Sequence, residues 1–145
     1  MGKTPVTLLY GFLGSGKTTL LSHVLDQDAL SNAVVIINEF GEVSIDHLIV
    51  ADLAENILEL RNGCLCCTIR GDLAMTLRDL YHRRQLEEIK AFDHVVIETT
   101  GLADPIPLAH TLMANPPIMT AYRLDTIVCV VDAVCGAETL AEHET

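Results

Sequence analysis

A glycine-rich octet at residues 11 to 18, Gly-Phe-Leu-Gly-Ser-Gly-Lys-Thr, has residue types and a spacing suited to binding phosphate. It matches the pattern G-x-x-x-x-G-K-[ST], in which the glycines let the backbone turn tightly and point its N–H groups at phosphate oxygens. Lys17 can reach the β- and γ-phosphates of a nucleoside triphosphate, and Thr18 offers a hydroxyl to Mg²⁺. We therefore expect a phosphate-binding loop that opens a helix, with Lys17 also acting in catalysis. The residues expected to contact the nucleotide are Gly11, Gly14, Ser15, Gly16, Lys17, Thr18 and Thr19.

A second chemical signal is the run Val-Val-Ile-Glu-Thr-Thr-Gly at residues 95 to 101. An apolar strand here delivers Glu98 at its carboxyl end, which is where ligands bind in an open parallel sheet. Glu98 is expected to hold the Mg²⁺ shell together with Thr18, and the N–H of Gly101 is expected to contact the γ-phosphate. A solvated acid at a strand end is the simpler alternative.

A third signal is an acidic stretch, Asn-Glu-Phe-Gly-Glu at residues 38 to 42, followed by Asp46. A loop at this place can fold over a nucleotide and change its order when the γ-phosphate leaves. Glu39 or Asp46 would suit metal-shell or water-positioning work, and we treat both as candidate catalytic residues. The alternative is a solvated acidic loop.

A fourth signal is the cysteine cluster Cys64-Leu65-Cys66-Cys67. Thiolates bind borderline cations such as Zn²⁺ or Co²⁺, and three ligands leave a fourth position open, which favours transfer over permanent binding. A buried, cysteine-rich strand end is the alternative. The two other cysteines, Cys129 and Cys135, are expected to be inert core or near-core residues.

The elements that must position these groups alternate along the chain. Apolar runs predict strands at residues 6–10, 33–38, 57–60, 94–98 and 126–131. Helical spacing, helix-start residues and prolines predict helices at 18–26, 72–88 and 105–113. Strands separated by helices predict an α/β fold: a parallel β-sheet flanked by α-helices in three αβα layers, as in P-loop NTPases.

Composition limits the classes of function. The 145 residues suit one domain, and the net charge of −11, from 9 basic and 20 acidic residues, does not resemble a nucleic-acid-binding footprint. No apolar run reaches the roughly 20 residues that span a bilayer, and no targeting segment is identified, so we expect a cytoplasmic protein without a membrane partner. The loop Asn/Thr-Lys-x-Asp that reads a guanine base is absent from the sequence. Residues 1–145 are therefore either a piece of a longer protein or a domain that cannot itself read the base. We favour the first and expect an incomplete P-loop GTPase domain.

Taken together, these segments resemble the CobW-type family of metallochaperone GTPases, relatives of the urease and hydrogenase maturation GTPases. The matching segments are residues 11–19 (GFLGSGKTT), 38–42 (NEFGE) with Asp46, 63–67 (GCLCC), 98–105 (ETTGLADP) and 130–134 (VVDAV). The resemblance implies GTP, Mg²⁺ and Zn²⁺ (or Co²⁺) as ligands, delivery of the metal to a client metalloprotein, and a base-recognition loop and C-terminal domain beyond residue 145. It is compatible with a homodimer. Ile37 stands where some relatives carry an acid, so a carboxylate ligand at that position is not implied.

Two other classes stay open from the residues alone. One is a P-loop kinase or other ATP-dependent transferase whose cysteines are structural. Such enzymes usually close an arginine-rich lid on the phosphates, whereas Arg78, Arg83 and Arg84 fall within a predicted helix. The other is a non-enzymatic metal-binding module, which would bind neither GTP nor ATP.

Overall fold

The computed structural model describes residues 2–25, 30, 32–38, 58–59, 65–69, 73–99, 101 and 104–142, with backbone only at 38, 58–59 and 65–69. Within these residues the chain alternates between strands and helices, as the apolar runs predict. The strands are β1 (Thr4–Tyr10), β2 (Ala33–Asn38), β3 (Leu58–Glu59), β4 (Leu65–Ile69), β5 (His94–Thr99) and β6 (Tyr122–Cys129). The helices are α1 (Lys17–Leu25), α2 (Leu73–Gln85), α3 (Pro105–Ala114), α4 (Pro116–Ala121) and α5 (Gly136–Glu142).

The strands form one six-stranded sheet in the order β3-β4-β2-β5-β1-β6. All neighbours run parallel except β3 and β4, which are antiparallel. Strand β1 lies between β5 and β6, with Leu9 opposite Glu98 and Tyr10 opposite Cys129. The carboxyl ends of β1 and β5 therefore meet at one edge of the sheet, directly before the phosphate-loop and acidic motifs.

The side chains of each strand point alternately to the two faces of the sheet, and they form one hydrophobic core on each face. Val6 and Leu8 of β1 pack with side chains of α2, α3 and α4, and the neighbouring Leu9 packs with Leu21 and Leu25 of α1. Successive side chains of a strand point to opposite faces, so a strand buried on both faces must be apolar throughout. This explains the continuous apolar run of β2, and it confirms the three-layer αβα architecture.

Three of the described elements were not predicted from the sequence: β4, α4 and α5. Strand β4 pairs with β2 and contains Cys66 and Cys67, whereas the sequence indicated metal ligands here, with a cysteine-rich strand end as the alternative. Helix α4 was also missed. Residues 115–117 do end α3, but Pro116 occupies the first turn of α4, where its missing N–H has no helical partner to lose.

The expectation that Cys129 and Cys135 are core residues was wrong, because both thiols are exposed. Strand β6 pairs with β1 alone among the described strands, and its carboxyl half is poorly covered, with Ile127 46% exposed. A side-chain hydrogen bond with Cys129 is the main cause that raises the pKa of Tyr10. An apolar sequence around a cysteine therefore did not indicate burial here.

Polar contacts close the amino end of the sheet, away from the motifs. The Arg84 guanidinium donates to the Thr4 hydroxyl at 2.9 Å and to the Phe92 carbonyl at 3.3 Å, and it stacks 4.7 Å from the centre of the Phe92 ring. The Tyr122 hydroxyl donates to the buried Leu77 carbonyl at 2.9 Å, which ties β6 to α2. Among the described residues, no helix has the length and apolar character needed to cross a bilayer.

Candidate nucleotide site

The glycine-rich octet forms a turn between the end of β1 and the start of α1. Gly14 and Gly16 have φ angles of +78° and +95°, a region that side chains with a Cβ rarely occupy. The turn places successive backbone N–H groups around the first turn of α1, which also carries the positive end of the helix dipole. This geometry suits an anion such as a phosphate.

The Lys17 side chain folds back over this turn. Its ammonium donates to the carbonyls of Gly11 at 2.8 Å and Phe12 at 2.9 Å, and the residue is only 7% exposed. Burial lowers the pKa of Lys17, and the charges of Glu98 and Cys129 oppose that shift. An ammonium group has three donors, so these two bonds leave one for a phosphate oxygen.

Thr18 and Glu98 meet across the gap between α1 and β5. The Thr18 hydroxyl donates to Oε1 of Glu98 at 2.7 Å, and Glu98 is 5% exposed. Burial raises the pKa of Glu98, while the Thr18 hydrogen bond and the Lys17 charge lower it. The second carboxylate oxygen, Oε2, is buried and has no hydrogen-bond partner among the described residues.

This pair fits a magnesium ion. Mg²⁺ prefers oxygen ligands and is commonly held by one or two carboxylates, water and substrate phosphates. The Thr18 oxygen keeps its lone pairs while its hydrogen is directed to Glu98, and Oε2 of Glu98 is a buried acceptor that lacks a donor. The residues present therefore match the group that the motif predicts.

Gly101 lies against the phosphate loop. A Cβ placed on Gly101 would lie 2.3 Å from the Leu13 nitrogen and 2.6 Å from the Leu13 Cα, distances that no real Cβ adopts. The segment after β5 therefore touches the loop backbone directly, and only a residue without a side chain fits. Two motifs that lie far apart in the sequence are brought into contact at this point.

The other site residues predicted from the sequence are described by the structure to different extents. Ser15 lies in the loop with its hydroxyl buried and without a partner among the described residues, and Thr19 is exposed on α1. Glu39, Asp46 and Cys64 lie outside the described residues. The backbones of Cys66 and Cys67 lie opposite Val35 and Ile36. Across the described part of the chain, no group of three or more His, Cys, Asp or Glu residues could hold a metal ion.

Sequence reasoning missed one contact of the loop. A Cβ on Gly11, whose φ is +152°, would lie 2.2 Å from the carbonyl oxygen of Val130. The run Val-Val-Asp-Ala-Val at residues 130–134 was the available signal. It carries no obvious chemistry, and only the β1–β6 pairing brings Val130 to the loop.

Comparison with known proteins identifies relatives along nearly the whole chain. Residues 5–145 match the family model described as CobW/HypB/UreG, nucleotide-binding domain. The chain is 44% identical to the zinc chaperone YjiA of Escherichia coli over 97% of its length, and 40% identical to the zinc chaperone CobW of Pseudomonas aeruginosa over 99%. It is 35% identical to the zinc-regulated GTPase metalloprotein activator 1 of Dictyostelium discoideum over 99%.

Solved structures agree with these matches. The Zn(II)-bound YjiA GTPase from E. coli superposes with a TM-score of 0.79 and is 43% identical, with 99% of this chain and 45% of that chain covered. A Zn(II)-bound triple mutant of YjiA gives the same TM-score at 42% identity. The chain spans 44%, 39% and 33% of the three curated relatives named above. On this match and on the geometry of its phosphate loop, the chain belongs to the CobW/HypB/UreG family and matches its nucleotide-binding domain.

Proposed function

We propose that this domain binds GTP with Mg²⁺, hydrolyses it, and uses the cycle to deliver zinc to a client metalloprotein. The observation that carries the nucleotide part is the Thr18–Glu98 hydrogen bond of 2.7 Å, which lies beside a glycine turn closed by Lys17. The zinc part is supported by the relatives, which are named zinc chaperones and a zinc-regulated GTPase activator. Cobalt is the alternative cargo.

In this proposal different residues of the chain bind the phosphates, bind Mg²⁺ and orient the attacking water. The loop N–H groups and the third N–H of Lys17 bind the β- and γ-phosphates, and these donors are aimed before the nucleotide arrives. Thr18 and Glu98 would hold Mg²⁺, which supplies neutralisation of the charge that develops on the phosphates during transfer. Burial of Glu98 excludes competing water from that position. Glu39 or Asp46 would orient the attacking water.

The contact between Gly101 and Leu13 supplies a link to the γ-phosphate. Since the Gly101 backbone lies against the loop, a phosphate held by the loop is placed within reach of the segment after β5. Loss of that phosphate would release this segment, as in other nucleotide switches. The segment after β5 would therefore be held when the γ-phosphate is present and released when it is absent.

In this proposal zinc is the cargo and binds at Cys64, Cys66 and Cys67; because Cys66 and Cys67 are successive residues of β4, the strand must open for both thiolates to reach one ion. Thr68, which follows Cys67 in β4, lies opposite Ile37, and Ile37 lies opposite Glu98. Neighbouring strands are about 4.8 Å apart, so the backbone of the cysteine strand lies roughly 10 Å from that of Glu98. This short path through a rigid sheet supports coupling between the metal and the nucleotide.

The contacts of Arg84 argue against its use in the arginine lid of a transferase. Arg84 is engaged with Thr4 and Phe92 at the amino end of the sheet, opposite to the phosphate loop. Arg83 forms ion pairs with Asp79 and Glu88 on the surface. The Arg84 side chain is therefore not available for phosphates. Arg70 lies outside the described residues.

Further parts of the proposal depend on more than this domain. We assign base selection and client contacts to polypeptide outside residues 1–145, because the relatives are much longer than the matched region. A cytoplasmic location and a homodimer belong to the same proposal.

Nucleotide titration tests the proposal. We expect the 145-residue chain to bind Mg²⁺ with GTP weakly and to discriminate poorly against ATP, and Lys17→Ala to weaken binding by about 10- to 150-fold, since a charge-assisted hydrogen bond contributes about 1.5–3 kcal/mol. Lys3→Ala, at an exposed lysine, is the control for charge. Circular dichroism checks that each variant is folded. Equal affinity of Lys17→Ala and the unmodified chain would rule out the proposed site.

A further inference from the structure

The turn between β6 and α5, residues 130–136, lies directly behind the phosphate loop. The Val130 N–H donates to the Tyr10 carbonyl at 2.8 Å, which continues the β1–β6 pairing beyond Cys129. The carbonyl oxygen of the same residue lies so close to Gly11 that a Cβ there would be 2.2 Å away. Val130 therefore limits the space available to the first residue of the loop.

Asp132 fixes this turn through three hydrogen bonds. Its carboxylate Oδ1 accepts the N–H of Val134 at 2.7 Å and that of Cys135 at 3.1 Å, and its backbone carbonyl accepts the N–H of Gly136 at 2.8 Å. The two bonds to Oδ1 lower the pKa of Asp132, so the carboxylate is charged at neutral pH. One side chain thus determines how the chain leaves β6 and begins α5.

The far end of the turn also makes a close contact. Gly136 is buried, and a Cβ on it would lie 2.7 Å from Cγ1 of Val131. The start of α5 therefore packs on the residue that follows Val130. Asp132 is two residues from Val130, so a shift of the turn at Asp132 moves the backbone that positions the Val130 carbonyl.

We infer that Asp132 is a positioning residue for the nucleotide site, acting through Val130 and Gly11. Its carboxylate holds the 130–136 turn so that the Val130 carbonyl keeps Gly11 in place, and Gly11 in turn accepts a hydrogen bond from Lys17 at 2.8 Å. Asp132 itself makes no contact with the nucleotide in this scheme. The inference rests on the proposed function, because it concerns the same phosphate loop.

The first experiment measures nucleotide affinity in the 145-residue chain and in its Asp132→Ala, Asp132→Asn and Asp125→Ala variants. Asp125 lies on β6, before the turn, is exposed, and pairs with Arg123, so its replacement removes the same charge away from the loop. The probe is fluorescent GDP with Mg²⁺. Asp132→Ala should weaken GDP binding by about two- to fivefold, because a capping side chain contributes about 1 kcal/mol, roughly a fivefold factor, and only part of it reaches the loop. Asp132→Asn keeps the acceptor oxygen and should bind like the unmodified chain.

The second experiment needs no nucleotide, so it separates this inference from the proposed function. Hydrogen exchange of the peptide that covers residues 11–16 should be faster in nucleotide-free Asp132→Ala than in the unmodified chain, and unchanged in Asp132→Asn and Asp125→Ala. Equal exchange in all four proteins would overturn the inference, as would equal weakening by the Asn and Ala variants. If the unmodified chain binds no GDP, the proposed function fails, and exchange alone decides the role of Asp132. If Asp132→Ala does not fold, an Asp132→Asn chain that exchanges faster than Asp125→Ala would overturn the inference.

Discussion

The Thr18 hydroxyl and the Glu98 carboxylate are joined by a 2.7 Å hydrogen bond, although 80 residues separate them in the sequence. The bond joins the first turn of α1 to the end of β5. Leu9 of β1 lies opposite Glu98 in the sheet, so strand pairing fixes one partner and the glycine turn fixes the other. The relationship makes the stability of the nucleotide-free domain depend on a buried acid.

Glu98→Gln should change the pH dependence of stability. Burial raises the pKa of Glu98, so the folded chain binds its proton more tightly than the unfolded chain does. Stability from this group is fully present below about pH 4.5 and falls as the pH rises through the folded pKa. Denaturant titrations between pH 4 and 7 should show that this fall is absent in Glu98→Gln. The variant should also lose Mg²⁺-dependent nucleotide binding. An unchanged pH profile would contradict the prediction.

The variants Thr18→Val and Thr18→Ser separate the contribution of the Thr18 hydroxyl from the contribution of its side-chain volume. Valine keeps the volume but leaves Glu98 without its donor, so the free energy of unfolding should drop by about 1–3 kcal/mol. Nucleotide affinity in Thr18→Val should no longer differ between Mg²⁺ and EDTA. Serine keeps the hydroxyl and should retain the Mg²⁺ effect. A Thr18→Val chain that still responds to Mg²⁺ would remove Thr18 from the proposed metal site.

Gly101→Ala should weaken nucleotide binding. The added Cβ would lie 2.3 Å from the Leu13 nitrogen, and relief of such overpacking costs about 1–3 kcal/mol. We expect affinity to fall by about 5- to 150-fold, since 1.4 kcal/mol is a factor of ten. Gly2→Ala is the matched control, because a Cβ there meets no atom within 4 Å. Calorimetry on both variants checks the effect, and equal affinities would show that the contact is not needed.

His94 should make the folded chain less stable in mild acid. Its Nε2 lies 3.0 Å from the Thr7 hydroxyl, and burial lowers the pKa of His94, with Asp125 and Asp93 opposing and Arg123 assisting that shift. The unfolded chain therefore takes up this proton first, near pH 6.5, so stability is present above that pH and is lost as the pH falls through the window down to the folded pKa.

Denaturant titrations between pH 5.5 and 8 measure this effect of His94. The decrease should be smaller in His94→Gln and unchanged in His110→Gln, whose histidine is exposed on α3. Equal decreases in all three proteins would assign the effect to another group.

The apolar runs and the glycine octet were enough to predict β1, β2, β5, α1 and the parallel sheet. The meeting of Thr18 with Glu98 also follows from the sequence, because parallel strands end at one edge. The contacts of Gly101 with Leu13 and of Gly11 with Val130 do not. They are steric contacts between loops, and their existence depends on strand register rather than on residue type.

The cysteines show a second limit of prediction from the sequence. Cys66 and Cys67 lie in a strand that pairing with β2 stabilises, although their local sequence has no clear period of two. Cys129 is exposed because the described elements leave the carboxyl half of β6 poorly covered, and the packing on the face of a strand is a property of the whole fold. Periodicity describes the strand and not its place in the sheet.

Zinc and GTP should affect the binding of each other in the whole protein. Strand β4, which carries Cys66 and Cys67, is connected to Glu98 through β2, and the segment after β5 contacts the phosphate loop at Leu13. Coupling must be reciprocal, so a GTP analogue and Zn²⁺ should change the affinity for each other by one factor, typically about 5- to 150-fold. Thiolates must lose protons to bind, so zinc affinity should also fall below pH 7.

A zinc competition dye, with and without the GTP analogue, measures this coupling in the whole protein and in its Cys64/Cys66/Cys67→Ser variant. The matched control is Cys129→Ser with Cys135→Ser, because both of these thiols are exposed and lie outside the cluster. We expect stoichiometric zinc in the unmodified protein and in the control, and a strong loss in the triple variant. Equal zinc binding by the triple variant would exclude these cysteines as ligands. Equal zinc affinity with and without the nucleotide would exclude the switch, because a ligand that does not change the other's affinity cannot drive its release.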